Sequence, residues 1–127
     1  MRSSMLSGLL LAAAFTCLSC NSRANERRIA QVTTGGDPVR GKAAIARYGC
    51  GSCHQIPGIT DAVGLAGPPL SGIASRIYIA GVMQNTPDNM IRWIQHPKAV
   101  DEKTLMPELG VTEKDAVDIA GYLYSLR

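Results

Sequence analysis

Residues 50–54 constrain this chain more than any other segment, because they place two thiols and an imidazole within five residues. The segment reads Cys50-Gly51-Ser52-Cys53-His54. A thioredoxin-like redox pair would lie at the start of a helix within a βαβ pattern, and the chain has no such pattern. A zinc site would need four ligands, and only His96 remains beyond these three residues, with His54 too close to Cys53 to join comfortably. Both readings therefore fit poorly.

The same spacing, C-x-x-C-H, is the attachment sequence of a c-type haem. Two thiols three residues apart can add across the two vinyl groups of one porphyrin. The next residue is then placed to bring an imidazole nitrogen to the iron. The motif therefore predicts one haem c, bound covalently through Cys50 and Cys53 and ligated by His54.

A haem would also explain how so small a chain could build a core. The chain has 127 residues, which allows one domain, and beyond residue 37 it has five aromatic side chains: Tyr48, Tyr78, Trp93, Tyr122 and Tyr124. A core of this size is marginal without a metal, a disulfide or another staple. The composition excludes a multidomain enzyme, a multi-span membrane protein and a disulfide-dense miniprotein.

The N-terminal residues have the pattern of an export signal. Arg2 precedes 13 uncharged residues, from Leu6 to Leu18, which is typical of a signal peptide and short for a membrane span. Residues 1–20 are therefore expected to be a signal peptide. Leu18-Ser19-Cys20 resembles a lipobox, so Cys20 is a candidate for lipidation, although Cys17 stands where an aliphatic residue is usual; an ordinary cleavage nearby is the alternative. Residues 21–37 are expected to be a flexible linker, without regular periodicity over residues 21–36.

Residues 38–127 are expected to form an all-α domain of three main short helices and long loops. Asp37-Pro38 predicts the start of a helix that ends at Gly49, and Thr86-Pro87 predicts a second that ends at Pro97. Thr112 caps a third helix. Residues 55–85 and 98–111 read mostly as loop, and no segment alternates convincingly as a strand. Loops of this length need something to organise them.

A second iron ligand can be sought among the methionines and the other histidine beyond His54. Met90 lies on the apolar face of the second helix and His96 lies at a helix end, so a core role and a surface role are the simpler readings. Met83 follows His54 by only 29 residues. Met106 lies in an irregular loop and is followed by a proline, and a loop thioether can reach the haem face opposite His54. Met106 is therefore the favoured ligand, and His-Met ligation is the arrangement of cytochromes c.

The chain resembles a class I cytochrome c over residues 38–127. It is especially similar to the cytochrome c domain fused to subunit II of some bacterial haem–copper oxidases. Gly67-Pro68-Pro69-Leu70 matches the family's G-P-x-L segment, and the resemblance implies that the Pro68 carbonyl accepts the far proton of His54. It also implies that the first and last helices cross near Gly41.

The resemblance assigns two further residues to the haem. Arg76 falls where the family often places an arginine near a haem propionate; a solvated surface cation is the alternative. Trp93 falls near the methionine side, where many relatives carry tyrosine. A tyrosine at this position can offer its hydroxyl to the methionine. Since tryptophan has no hydroxyl, Trp93 cannot make this hydrogen bond to Met106.

The expected function is one-electron transfer rather than enzymatic catalysis. Two axial ligands leave no open position for a substrate on the iron. The partners implied are a quinol-oxidising complex or a dehydrogenase as donor and a terminal oxidase as acceptor, at a periplasmic or other extracytoplasmic site. A haem-bearing subunit of a larger complex, and a gas-binding or enzymatic haem protein, are the alternatives. From Pro38 onward there are nine basic and eight acidic residues, without the basic stripe of a nucleic-acid partner.

Overall fold

The computed structural model describes residues 21–127, and these residues are mostly helical. Within this range the helices are α1 (residues 21–34), α2 (Pro38–Arg47), α3 (Pro87–Gln95), α4 (Pro97–Val100) and α5 (Glu113–Leu123). Two 3₁₀ turns, Cys50–Ser52 and Ile73–Ser75, and two short strands, β1 (Tyr78–Ile79) and β2 (Met83–Gln84), lie in the connections. The expected all-α fold of three main helices and long loops is confirmed by α2, α3 and α5. Residues 1–20, with the expected signal peptide and Cys20, lie outside the described residues.

The three main helices begin where the capping residues predict. Asp37 accepts hydrogen bonds from two N–H groups at the start of α2, Thr86 accepts one at the start of α3, and Thr112 accepts one at the start of α5. These bonds satisfy N–H groups that the first helical turn leaves without partners. A proline at the first position of α2 and α3 adds a backbone angle already suited to a helix.

The expectation of an irregular segment over residues 21–36 is wrong, because residues 21–34 form helix α1. Half of its 14 residues are Arg, Ala, Glu or Gln, which have high intrinsic helix propensity. It buries one side chain almost completely, that of Ala30. A helix that packs through one small residue produces no apolar stripe, and the periodicity of its sequence therefore does not reveal it.

The reading without strands also needs a correction, because β1 and β2 pair in an antiparallel hairpin. The turn between them uses Ala80 and Gly81, which both have positive φ, at 50° and 75°. Two consecutive residues of positive φ suit the right-handed twist of a hairpin. Each strand has two residues, too few to show alternation. The four-residue helix α4 is a further element within residues expected to be mostly loop.

The first and last main helices, α2 and α5, cross at closely packed backbones. A Cβ atom at Gly41 would lie 1.9 Å from the carbonyl oxygen of Asp118, which no real side chain could do. Ile119 and Leu123 of α5 are buried beside this contact. The expected crossing near Gly41 is therefore confirmed, and glycine is required there.

The buried carboxylate of Asp118 stabilises the same helix crossing. Asp118 is 2% exposed, and its oxygens accept hydrogen bonds from Arg40 Nε (2.8 Å) and Nη2 (3.0 Å), from the Asp37 N–H (2.8 Å) and from Lys114 Nζ (3.1 Å). The hydrogen bonds from Arg40 are the main reason that the pKa of Asp118 lies well below its usual range. A buried carboxylate with this many donors is fully satisfied, so it ties the start of α2 to α5.

None of the helices in residues 21–127 combines the length and the hydropathy that a membrane crossing requires.

Candidate functional site

The C-x-x-C-H segment folds as a tight turn directly after α2. Gly49 adopts a left-handed conformation (φ 71°) and turns the chain out of the helix. The next residues form a 3₁₀ turn, in which the Cys53 and His54 N–H groups both donate to the Cys50 carbonyl, at 3.2 and 3.0 Å. Side chains three residues apart eclipse in a 3₁₀ helix. The two thiols are therefore presented on the same side of the turn.

The two cysteines are half-buried, and neither forms a disulfide. Burial raises the pKa of the Cys50 thiol above its ordinary value.

The His54 imidazole is held on two sides by the segment that contains Gly67 and Pro68. Its Nδ1 lies 2.8 Å from the Pro68 carbonyl oxygen, the hydrogen bond that the resemblance implies. Since a carbonyl can only accept, Nδ1 donates in this hydrogen bond, which leaves Nε2 as the nitrogen that can bind a metal. A Cβ atom at Gly67 would lie 2.3 Å from His54 Cε1, so only glycine lets this backbone pass so close to the ring.

The same segment is held from outside by Arg76. Its Nη2 donates to the carbonyls of Pro69 (2.5 Å) and Ser71 (3.1 Å). Arg76 thus supports the loop that orients His54, a role that the sequence did not indicate.

These elements surround one large cavity, of about 660 Å³. Pockets for small molecules and cofactors typically measure about 300–1,000 Å³. All seven predicted site residues line this cavity: Cys50, Cys53, His54, Pro68, Arg76, Trp93 and Met106. The other lining side chains are mostly apolar and come from α2, α3, α5 and the loops.

The donors and shape of the cavity fit a covalently bound haem. Two thiols and an imidazole with a free Nε2 lie on its wall, and an apolar lining suits the faces of a macrocycle. Within residues 21–127 no three His, Cys, Asp or Glu side chains group together to hold a metal ion by themselves.

The four candidates for a second iron ligand differ in whether they line the cavity. Met90 and Met106 line it, whereas Met83 and His96 are not among its lining residues. Met90 is 2% exposed and lies on α3. Met106 is half-buried in the segment Thr104–Pro107, which lines the cavity from the loop between α4 and α5.

Two contributors to the site were missed by sequence reasoning. The close contact of Gly67 with His54 could have been suspected from the glycine of the G-P-P-L segment. Thr104 accepts a hydrogen bond from the Met106 N–H at 3.2 Å and lines the cavity itself. A threonine in an irregular loop gives no sequence signal for such a role.

Comparison with known proteins agrees with this geometry. The family model described as Cytochrome c matches residues 38–127, so the chain belongs to the cytochrome c family. The chain is also similar to a protein named cytochrome c oxidase subunit 2, from Alkalihalophilus pseudofirmus, with 29% identity over 89 residues. The match covers 69% of this chain and 25% of the relative, so the chain spans about a quarter of that relative's length. No solved structure gives a significant match.

Family membership establishes the cofactor and the general role. The protein carries one haem c, attached covalently through Cys50 and Cys53, and the domain serves electron transfer. The predicted relation to the oxidase subunit II domain is likewise confirmed.

Proposed function

We propose that this protein is an extracytoplasmic one-electron carrier whose haem iron is ligated by His54 and Met106. The observation that carries the proposal is the convergence of the attachment motif and Met106 on one cavity of about 660 Å³. The haem supplies the redox change, by cycling its iron between the ferric and ferrous states. His54 supplies Nε2 as one ligand, and Met106 supplies its thioether from the loop before α5.

The surrounding residues suit electron transfer better than catalysis at the iron. With His54 and Met106 both bound, the iron would have no free position for a substrate. The apolar lining excludes water, and with a methionine ligand it favours the ferrous state and raises the potential. Trp93, buried on α3, belongs to this lining. Arg76 also lines the cavity, which supports the proposal that its guanidinium would meet a haem propionate.

The near-infrared spectrum of the ferric protein tests this ligation. A weak near-infrared band is the signature of His-Met haem, and we expect the purified protein to show it. A ferric protein without this band would contradict the proposal and favour the gas-binding or enzymatic alternative, in which the sixth position is open.

The proposed acceptor is a terminal oxidase, and the proposed donor is a quinol-oxidising complex or a dehydrogenase. The similarity to a protein named for an oxidase subunit supports the first of these. Binding should be weak and salt-tolerant, because the charge of residues 38–127 is nearly balanced. Purification from membranes tests the alternative of a subunit: an oxidase or dehydrogenase that co-purifies in fixed ratio would support that alternative over a separate carrier.

The proposed location is outside the cytoplasmic membrane, with a lipid tether at Cys20. We expect Cys20→Ser to release the protein from the membrane fraction, because a diacylated cysteine is an anchor that serine cannot supply. The measurement is the distribution of haem-stained protein between membrane and soluble fractions, with Cys17→Ser as the matched control. A Cys20→Ser protein that stays with the membranes would rule out this tether.

A further inference from the structure

The segment that leads to Met106 has little apolar packing of its own. Residues 101–105 follow α4 without regular secondary structure. Leu105, directly before Met106, is 92% exposed, so its side chain does not anchor the segment. Met106 itself packs against the core, whereas the residues directly before it are held mainly by polar contacts.

Most of these polar contacts are local to the segment. The Thr104 N–H donates to the Asp101 carbonyl (3.1 Å), and the Lys103 N–H donates to Asp101 Oδ1 (3.0 Å). The Met106 N–H in turn donates to Thr104 Oγ1. Such bonds shape the turn, but they do not attach it to the rest of the domain.

The Asp101 N–H joins the start of the segment to the Pro97 carbonyl (2.9 Å), and Lys98 supplies the side-chain attachment of the residues beyond it. Its Nζ donates to the carbonyl of Thr104 and, at 3.4 Å, to that of Glu102. Among the hydrogen bonds of residues 21–127, no other side chain from outside residues 101–106 reaches this segment. Lys98 follows Pro97, whose fully buried side chain fixes the start of α4 against the core.

We propose that Lys98 is a positioning residue for the second iron ligand. Its ammonium binds the carbonyls of Glu102 and Thr104 and so holds residues 101–105 against the start of α4. Thr104 in turn fixes the backbone of Met106, because Thr104 Oγ1 accepts the Met106 N–H. A lysine ammonium suits the task because it has three donors and accepts nothing. The proposal rests on the proposed function, since it requires Met106 to be the ligand.

The test compares three variants of the haem-bearing ferric protein, with imidazole as a neutral probe for the sixth position. In Lys98→Met we expect the segment to open more often, so that imidazole binds about tenfold more tightly, as loss of one charge-assisted hydrogen bond implies. The near-infrared band should disappear at correspondingly lower imidazole concentration. Amide hydrogen exchange at Thr104 and Met106 should accelerate by a similar factor.

Lys103→Met is the matched control, because it also removes one lysine charge, from within the segment that Lys98 contacts. Lys103 is exposed, and only its backbone N–H bonds within the turn, so this variant should behave like the wild type. Lys98→Arg should restore imidazole affinity and exchange rates, because arginine can also donate to both carbonyls. The midpoint of urea unfolding should be nearly the same for all variants, because the expected changes are local to the segment before Met106.

The outcomes separate this proposal from the proposed function. If the near-infrared band depends on Met106 but Lys98→Met binds imidazole and exchanges like Lys103→Met, the role of Lys98 is refuted while His-Met ligation stands. The role of Lys98 is also refuted if Lys98→Arg binds imidazole as tightly, and exchanges its amides as fast, as Lys98→Met does. If the band persists without Met106, both proposals fail together.

Discussion

Replacing Met106 with alanine is expected to abolish the near-infrared band of the ferric protein and to open the sixth position of the iron. Alanine has no donor atom and leaves space where the thioether lay. Carbon monoxide should then bind the ferrous protein rapidly, because no protein ligand has to leave first. The midpoint potential should fall by on the order of 100 mV, since axial ligands set haem potentials over a range of about 0.8 V.

Met83→Leu is the matched control for this experiment. Met83 lies on β2 and is not among the residues that line the cavity, and leucine nearly conserves its volume. Its spectrum and potential should match the wild type. If Met106→Ala leaves the spectrum unchanged, Met90 becomes the leading candidate, because it is the other methionine among the cavity-lining residues.

A protein without covalent haem is expected not to fold stably. We expect Cys50→Ala/Cys53→Ala, produced without haem, to lose most of its helical circular dichroism and its cooperative thermal transition. The cavity of about 660 Å³ has a largely apolar lining, and without haem this lining would face either water or a void. Both destabilise the folded state, so the chain would collapse or unfold rather than keep the cavity.

Ser52→Ala is the control for the double variant, because Ser52 lies in the same turn between the two cysteines and is exposed. With both thioether bonds intact, this protein should fold and melt like the wild type. The expectation is contradicted if the haem-free double variant keeps native helical content and a sharp transition. In that case the side chains around the cavity would fill it without a cofactor.

The parts of the fold that sequence predicted are those set by local chemistry. The helix caps were predictable because a capping hydrogen bond spans only a few residues and depends on residue type. The three capping residues are Asp37, Thr86 and Thr112. Helix α1 and the β1–β2 hairpin escaped prediction for opposite reasons. The first buries one alanine and so leaves no stripe, and the second is too short for its alternation to be visible.

The site was predictable in its attachment motif and much less so around it. Cys50, Cys53 and His54 are adjacent in sequence, and their chemistry depends on that spacing. Lys98 and Thr104 act through backbone carbonyls and an N–H group, and such bonds follow from the path of the chain rather than from residue type. Arg76 reads as a propionate partner in sequence, yet in the structure it also holds the loop that orients His54.

The crossing of α2 with α5 has a consequence for the order in which the protein matures. Gly41 and Asp118, whose backbones meet there, stand at opposite ends of residues 38–127. During synthesis, the face of α2 that contains Gly41 has no partner until α5 has emerged. The two cysteines, only a few residues beyond α2, are therefore accessible to the attachment reaction while the domain is still open. Closure of the long loop between the two helices is entropically costly, and it comes most easily once the haem already links the residues between them.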